Sequence, residues 1–347
     1  CNFKEGVTIY SDNRMAGNSI EISITVKQCD GCGFIFNSPR PTETGLKKYY
    51  ENSNLGSGQV FRDESEKGYY SNLHDERANF LKESLIFTND LSLIDVGCGN
   101  GGFLKSIIKE IPDISVLGLD PSIQAVENCK KSNINVIQAA INELPNIKID
   151  VDIISLISVL EHLTNPREAI RACKQSLGSS GIIYIEIPNT LKPEVSLTGF
   201  FNFEHIVHFT PSSLLKLLEN EGFKFVKHDK SVDHVVRIVA SPSNLDFFKG
   251  EEINYLDDSR ESLASIQKYA KNEKELVHSM RSKVKSKLQN WKSKNKKIAM
   301  YGAGLHSVEL SSHIDLNSYV SCYLDGDINK QGKKFLGKKV YSPESVK

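Results

Sequence analysis

The sequence predicts an α/β protein built on a parallel sheet with helices on both faces. Apolar strand-like runs alternate with amphipathic helical segments between residues 91 and 187. A glycine-rich turn follows the first of these runs, and a second strand-to-glycine junction recurs at residues 297–304. Alternation at this spacing favours a parallel sheet, because each helix carries the chain back to the same edge.

Composition and periodicity predict the elements of an N-terminal segment, residues 1–75, and of a core, residues 76–245. Residues 1–75 are predicted to form short strands, at 20–26 and 34–36, joined by polar turns. The core is predicted over residues 76–245, with strands at 91–96, 116–119, 135–138, 152–157 and 181–187 and helices at 101–110, 122–131 and 166–177. Strand and helix therefore alternate throughout the core.

Residues 246–347 are predicted to form a long helix followed by a smaller α/β unit. Five apolar residues recur at helical spacing: Val277, Met280, Val284, Leu288 and Trp291. Between residues 268 and 297 there are 11 Lys or Arg and two acids, which indicates a phosphate-binding surface or, the favoured interpretation, a solvated helix face. Strands at 297–301 and 320–325 begin the smaller unit, which we expect to be incomplete at its end.

Composition excludes several classes of protein. Of 347 residues, 43 are Lys or Arg and 43 are Asp or Glu, so no net charge attracts nucleic acid or an anionic membrane. The longest apolar run is far shorter than the roughly 20 residues of a membrane span. Seven scattered cysteines do not resemble a disulfide framework. We expect a cytoplasmic protein and, since the chain begins with Cys, a preceding segment.

The glycine-rich turn predicts a nucleotide-like cofactor. Gly97, Gly99 and Gly102 fit the dinucleotide-binding pattern, and Asp120 stands where a carboxylate binds ribose hydroxyls. Asp95, however, lies two residues before Gly97, where it would repel a pyrophosphate and attract an ammonium group. This favours S-adenosylmethionine, which carries an ammonium and no phosphate, over a dinucleotide.

Three motifs in order resemble class I S-adenosylmethionine-dependent methyltransferases. They are Asp-Val-Gly-Cys-Gly-Asn-Gly at 95–101, Gly-Leu-Asp-Pro-Ser at 118–122 and Ser-Val-Leu-Glu-His-Leu-Thr-Asn-Pro at 158–166. The resemblance implies a Rossmann-like, seven-stranded core. It also implies a set of cofactor-binding residues: Asp95, Gly97, Cys98, Gly99, Gly101, Asp120, Pro121, Ile141, Asn142 and Ser158. Ala139 and Ala140 stand where the family often has an acid, so Asn142 is the expected adenine contact.

A C-x-x-C pair in the N-terminal segment predicts structural zinc. Cys29 and Cys32 offer two thiolates at the spacing of a zinc knuckle, and Cys1 is the candidate third ligand. The fourth ligand is expected in the preceding segment. The alternative is a pair of ordinary free thiols.

The order of zinc knuckle, methyltransferase core, long helix and second α/β unit resembles the C-methyltransferases that act on nucleotide-linked keto-deoxysugars. The resemblance implies a C-terminal nucleotide-like, Rossmann-like domain that either holds the substrate nucleotide or serves as a structural lid. It implies a small-molecule partner, a nucleotide sugar, and neither nucleic acid nor a membrane. The sequence does not decide the oligomeric state, the sugar or the acceptor atom.

The candidate catalytic residues lie at 201–211. In the sugar C-methyltransferases a Tyr-x-Glu-His motif occupies this place, and its His is the base. Glu204 and His205 match this motif, whereas Asn202 replaces the Tyr. His208 is a further candidate, and His162 has either a site role or a structural role.

Three other functions stay open on the sequence alone. One is O-methylation of a sugar or another small polar metabolite, which requires less of the protein than methylation at carbon. Another is a non-catalytic sugar-nucleotide binding protein, although the intact Asp95, Gly97, Gly99 and Asp120 argue against a decayed site. The third, and least favoured, is a dehydrogenase.

Overall fold

The computed structural model describes most of the chain. The described residues are 5–16, 20–52, 69–85, 90–147, 151–196, 199–242, 257–328 and 330–345. Cys1, a predicted zinc ligand, lies outside the described residues. Within these ranges, no helix combines the length and the apolar character that a membrane span requires.

The strands form three sheets, and the bounds of all strands and α-helices are as follows. The strands are β1 (Gly6–Ala16), β2 (Ile20–Cys29), β3 (Ile35–Asn37), β4 (Ser92–Val96), β5 (Ser115–Asp120), β6 (Val136–Gln138), β7 (Val151–Ile157), β8 (Leu177–Pro188), β9 (Val207–His208), β10 (Lys224–His228), β11 (Val235–Ser241), β12 (Ile298–Tyr301), β13 (Val320–Leu324), β14 (Lys334–Phe335) and β15 (Lys338–Tyr341). The helices are α1 (Glu43–Asn52), α2 (Tyr69–Glu83), α3 (Gly102–Glu110), α4 (Ile123–Lys131), α5 (Pro166–Ser176), α6 (Pro211–Asn220), α7 (Ser259–Ser293) and α8 (Leu305–His313).

The core is a seven-stranded sheet with the order β10-β11-β8-β7-β4-β5-β6. β4 to β8 pair in parallel, and β10 and β11 add an antiparallel edge. Apolar side chains of α5 and α6 cover one face, and those of α2 and α3 cover the other. The predicted seven-stranded α/β core is therefore confirmed.

The connections of the core reverse direction beside β4. The chain passes from β4 to β5 and β6 on one side, and then returns to β7 and β8 on the other. In open α/β sheets a ligand crevice forms at such a point, outside the carboxyl ends of the strands. The glycine-rich turn follows β4 and therefore lies at this crevice.

The N-terminal sheet has the order β1-β2-β3-β9, so a strand from the core completes it. β1 and β2 form a long hairpin, in which pairing runs from Gly6 opposite Cys29 to Ala16 opposite Ile20. β2 runs beyond its predicted end and β1 was not predicted, because cross-strand pairing stabilises strands that contain many polar residues. β3 pairs with β9, where Phe36 lies opposite Val207. The N-terminal sheet thus adjoins the segment that carries the candidate catalytic residues.

The C-terminal part contains α7 and a four-stranded sheet with the order β12-β13-β15-β14. β12, β13 and β15 pair in parallel, whereas β14 and β15 form a hairpin. Leu288 of the predicted apolar stripe packs with Ile314 and Val320, but Trp291 is exposed.

Candidate active site

The glycine-rich turn has a backbone that only glycine adopts readily. Gly97 and Gly101 have φ angles of 72° and 76°. A Cβ on Gly97 would lie 2.6 Å from the Val159 side chain, and one on Gly101 would lie 2.6 Å from Ile134. The Gly97 N–H donates to the Leu119 carbonyl at 2.7 Å, which ties the turn to β5. The turn is therefore fixed in shape, and larger residues at Gly97 and Gly101 would collide with Val159 and Ile134.

Asp95 is a buried carboxyl at the end of β4. Its Oδ1 accepts a hydrogen bond from the Ser155 hydroxyl of β7 at 2.7 Å. Burial raises the pKa of Asp95 to about 7, although the Ser155 hydrogen bond acts in the opposite direction. A cationic ligand group at this position would compensate the buried negative charge.

Asp120, at the end of β5, holds the glycine-rich turn from the other side. Its Oδ2 accepts the Gly99 N–H at 2.9 Å, and its Oδ1 accepts the Ser122 N–H at 2.8 Å. Burial raises the pKa of Asp120 in spite of these two hydrogen bonds. Each carboxylate oxygen has a further lone pair, so both remain able to accept a hydroxyl donor.

The other predicted cofactor residues differ in what they expose. The Cys98 side chain is buried in the apolar core, so only its backbone is available to a ligand. Pro121 and Ile141 are partly buried, and Asn142 is exposed. Ser158 is exposed, has a φ of 55°, and donates its N–H to the Glu186 carbonyl at 2.8 Å. Residues with positive φ that are not glycine concentrate at functional sites.

Glu161, His162 and His205 form a compact cluster. Glu161 and His162 follow β7, and His205 belongs to the segment before β9. One ligand atom from each of the three side chains lies within 4.8 Å of the other two, and the imidazole centroids are 4.9 Å apart. Burial lowers the pKa of His162 to about 4 and holds that of His205 well below its usual range. Both imidazoles are therefore neutral at neutral pH.

Asn202, which replaces the expected Tyr, shapes the turn that carries His205. Its Oδ1 accepts the N–H groups of Glu204 and His205, both at 2.9 Å. Asn37 of β3 holds the same turn, because its Nδ2 donates to the carbonyls of Asn202 at 3.0 Å and His205 at 2.9 Å. Asn202 therefore contributes hydrogen bonds to this turn, where the Tyr of the sugar C-methyltransferases would contribute an aromatic ring.

Of the predicted catalytic residues, the structure brings His205 and the backbone of Glu204 to the cluster. The Glu204 carbonyl accepts a hydrogen bond from His162 Nδ1 at 3.0 Å. His208 is buried beside Phe201, and its Nε2 lies 2.9 Å from Asn37 Oδ1. Glu161 was not among the predicted site residues, although an acid and a His side by side after a core strand were a usable signal.

The C-x-x-C pair, predicted to bind zinc, lies at the end of β2 and in the turn that follows it. Cys29 ends β2 and Cys32 lies in the turn that follows, where Gly33 donates its N–H to the Cys29 carbonyl at 2.9 Å. Burial raises the pKa of the Cys32 thiol, and a hydrogen bond to Cys29 adds to the rise. In the described part of the chain, the pair does not belong to a group of three metal-ligating side chains.

Two family models match the chain. Residues 67–228 match the model described as "Methyltransferase domain", and residues 252–347 match the one described as "C-methyltransferase C-terminal domain". Residues 67–228 therefore match a methyltransferase domain, as the motifs predicted.

The chain spans less than two thirds of the length of the curated relatives described here. A tRNA U34 carboxymethyltransferase of Campylobacter fetus is 31% identical over 103 residues, which cover 28% of this chain and 36% of that protein. A ubiquinone biosynthesis O-methyltransferase of Nitrosomonas europaea is 25% identical over 162 residues, which cover 44% of this chain and 64% of the relative. Among solved structures, magnesium protoporphyrin IX methyltransferase from Synechocystis has a TM-score of 0.46 at 14% identity, covering 58% of this chain and all of that one.

Proposed function

Because residues 67–228 form a methyltransferase domain, we propose that this chain transfers a methyl group from S-adenosylmethionine to a carbon of a nucleotide-linked deoxysugar. The observation that carries the proposal is the position of His205, a neutral imidazole held beside Glu161 and His162. The match of residues 252–347 to a C-methyltransferase domain supports carbon as the acceptor. The choice of a nucleotide sugar as the substrate rests on the resemblance of the sequence motifs to the sugar C-methyltransferases.

The residues around the crevice suit the parts of S-adenosylmethionine. When bound, this cofactor supplies an electrophilic methyl group. We assign the ammonium to Asp95, the ribose to Asp120 and the adenine to Ile141 and Asn142. The backbone at 97–101 allows close approach, and Pro121 and Ser158 flank the same edge of the sheet.

Methylation beside a ketone requires removal of an α-proton, and His205 is the proposed base. Its uncharged ring nitrogen accepts the proton and leaves an enolate on the sugar. Once ionised, the nearby Glu161 carboxylate stabilises the imidazolium that forms. We propose that Glu204 and His208 act by positioning, since His162 bonds the Glu204 carbonyl and His208 bonds Asn37, which holds the turn.

The test compares His205→Asn with the wild-type protein on a panel of nucleotide-linked keto-deoxysugars. We expect turnover, measured by mass as the gain of one CH₂ group, to fall by about 10²-fold or more. Binding of S-adenosylhomocysteine should stay within about twofold, because we assign its ammonium and ribose to Asp95 and Asp120 and not to His205. His278→Asn, on an exposed face of α7, is the matched control. Unchanged turnover in His205→Asn would disprove the base assignment.

O-methylation is the second candidate, and the curated O-methyltransferase relative favours it. A base at His205 would also assist a hydroxyl acceptor, so loss of turnover alone does not separate the two reactions. Exchange of the sugar α-proton with solvent deuterium does, because only carbon methylation forms an enolate. Exchange that depends on His205 supports carbon as the acceptor, and methyl transfer without any exchange supports oxygen.

A further inference from the structure

We propose that Glu161, His162 and His205 bind one divalent transition-metal ion such as Zn²⁺. This is a different place from the C-x-x-C pair, and its ligands are nitrogen and oxygen rather than sulfur. The three side chains come from two segments, 161–162 after β7 and 205 before β9, that meet at the carboxyl edge of the core sheet.

The donor set and its spacing fit such an ion. Two imidazoles and one carboxylate are a ligand set of catalytic zinc sites, which keep a fourth position open. The three ligand atoms lie within 4.8 Å of one another. Bonds of about 2.1 Å in a tetrahedral site place ligand atoms about 3.4 Å apart, so modest side-chain rotation would close the cluster on an ion.

Glu161 is the observation that points to a cation. It is 2% exposed, and neither carboxylate oxygen has a hydrogen-bond partner among the described residues. His162 Nε2 lies 3.9 Å from Oε1, and this imidazole is neutral at neutral pH. A bound cation would satisfy both oxygens.

The two imidazoles are oriented as metal ligands are. His162 Nδ1 donates to the Glu204 carbonyl at 3.0 Å, which leaves its Nε2 with a lone pair on the Glu161 side. His205 makes a hydrogen bond to the backbone of Phe200, which holds the second ring in the same way. A ligating histidine characteristically donates its other N–H to a carbonyl, and this fixes both the tautomer and the ring orientation.

The site has a consequence for catalysis that rests on the proposed function. A ligand nitrogen of His205 has no lone pair left to accept a substrate proton. The ion and the proposed base therefore exclude each other, and Zn²⁺ should inhibit methyl transfer reversibly. Chelation should restore the activity.

The test of the site is a Co²⁺ titration of the full chain, followed by the visible absorption of Co²⁺ with nitrogen and oxygen ligands. We expect Glu161→Gln, which preserves shape and removes the charge, to weaken this binding at least about tenfold. His278→Asn should bind as the wild type does. Co²⁺ on Cys29 and Cys32 would add a thiolate charge-transfer band that is unchanged in Glu161→Gln. Retained S-adenosylhomocysteine binding shows that the variant is folded.

Equal Co²⁺ binding by Glu161→Gln and the wild type would overturn the metal site and leave the base assignment of His205 standing. Loss of binding in Glu161→Gln, together with reversible Zn²⁺ inhibition of the wild type, supports both proposals. Loss of binding in the variant with Zn²⁺ stimulation of the wild type supports the site and overturns His205 as base. The Co²⁺ titration therefore tests the metal site, and the effect of Zn²⁺ on turnover tests His205 as the base, independently of each other.

Discussion

A single carboxyl, Asp95, links the cofactor site to pH. Its pKa is raised to about 7 by burial, so it is protonated in about nine of ten molecules at one pH unit below that value. Only the ionised form attracts the ammonium of the cofactor. We therefore predict that the affinity for S-adenosylhomocysteine falls about tenfold as the pH is lowered from about 7.5 to 6, which calorimetric titration measures.

Asp95→Asn is the control for this pH dependence. It keeps the size of the side chain and cannot ionise, so its affinity should be weaker at both pH values and nearly independent of pH. An equal pH dependence in Asp95→Asn would assign the effect to another group. Asp120 is the alternative, because burial raises its pKa as well.

At the scale of elements, a buried ion network joins α2, β8 and β11. Glu186 of β8 accepts hydrogen bonds from Arg77 of α2 and from Arg237 of β11, the latter at 2.7 Å. Arg237 also donates to Asp229 at 2.6 Å. Burial alone would raise the pKa of Glu186, but the two guanidinium groups outweigh it and hold the pKa below its usual range.

We predict that Arg237→Met lowers the free energy of unfolding by about 3–5 kcal/mol, because it leaves Glu186 and Asp229 buried with fewer partners. The pKa of Asp229 is also lowered, so the stabilisation is present at neutral pH and is lost as the pH falls through the lowered pKa values. Urea unfolding at neutral pH and in acid measures both effects.

Arg167→Met is the matched control for the network. Arg167 also pairs with a glutamate, Glu221, but its side chain is 39% exposed, so its loss should cost less than about 1 kcal/mol. An Arg237→Met variant no less stable than Arg167→Met would show that the buried network contributes little.

The sequence predicted the elements that local pattern determines. Strands and helices of the core lie within a few residues of their predicted bounds, and the glycine-rich turn lies where the motif placed it. Pairings between distant residues were not predictable, such as Ile35 opposite His208 in the N-terminal sheet. The Glu161 cluster depends on such a juxtaposition, since it brings together residues over 40 positions apart. Periodicity likewise defined the apolar face of α7 but not where its packing ends, at the exposed Trp291.

At the scale of the whole molecule, α7 connects the N-terminal sheet with the candidate active site. Glu273 in the first half of α7 is buried, and its Oε2 accepts the Tyr10 hydroxyl of β1 at 2.6 Å. Its Oε1 accepts the Tyr269 hydroxyl at 2.8 Å and the Gly199 N–H at 3.1 Å. Gly199 begins the segment that leads to His205, so one carboxylate holds three parts of the chain together.

We predict that Glu273→Leu loosens this segment and lowers turnover while leaving cofactor binding intact. The substitution deprives three donors, two of which are buried hydroxyls, of their acceptor, at about 1–3 kcal/mol for each buried donor left unsatisfied. Hydrogen exchange at residues 199–206 should accelerate at least about fivefold, whereas S-adenosylhomocysteine affinity should change less than about twofold. Glu275→Leu, on the exposed side of the same helix, should leave both unchanged. Faster exchange throughout the core would indicate general destabilisation, and unchanged exchange at 199–206 would show that Glu273 does not position His205.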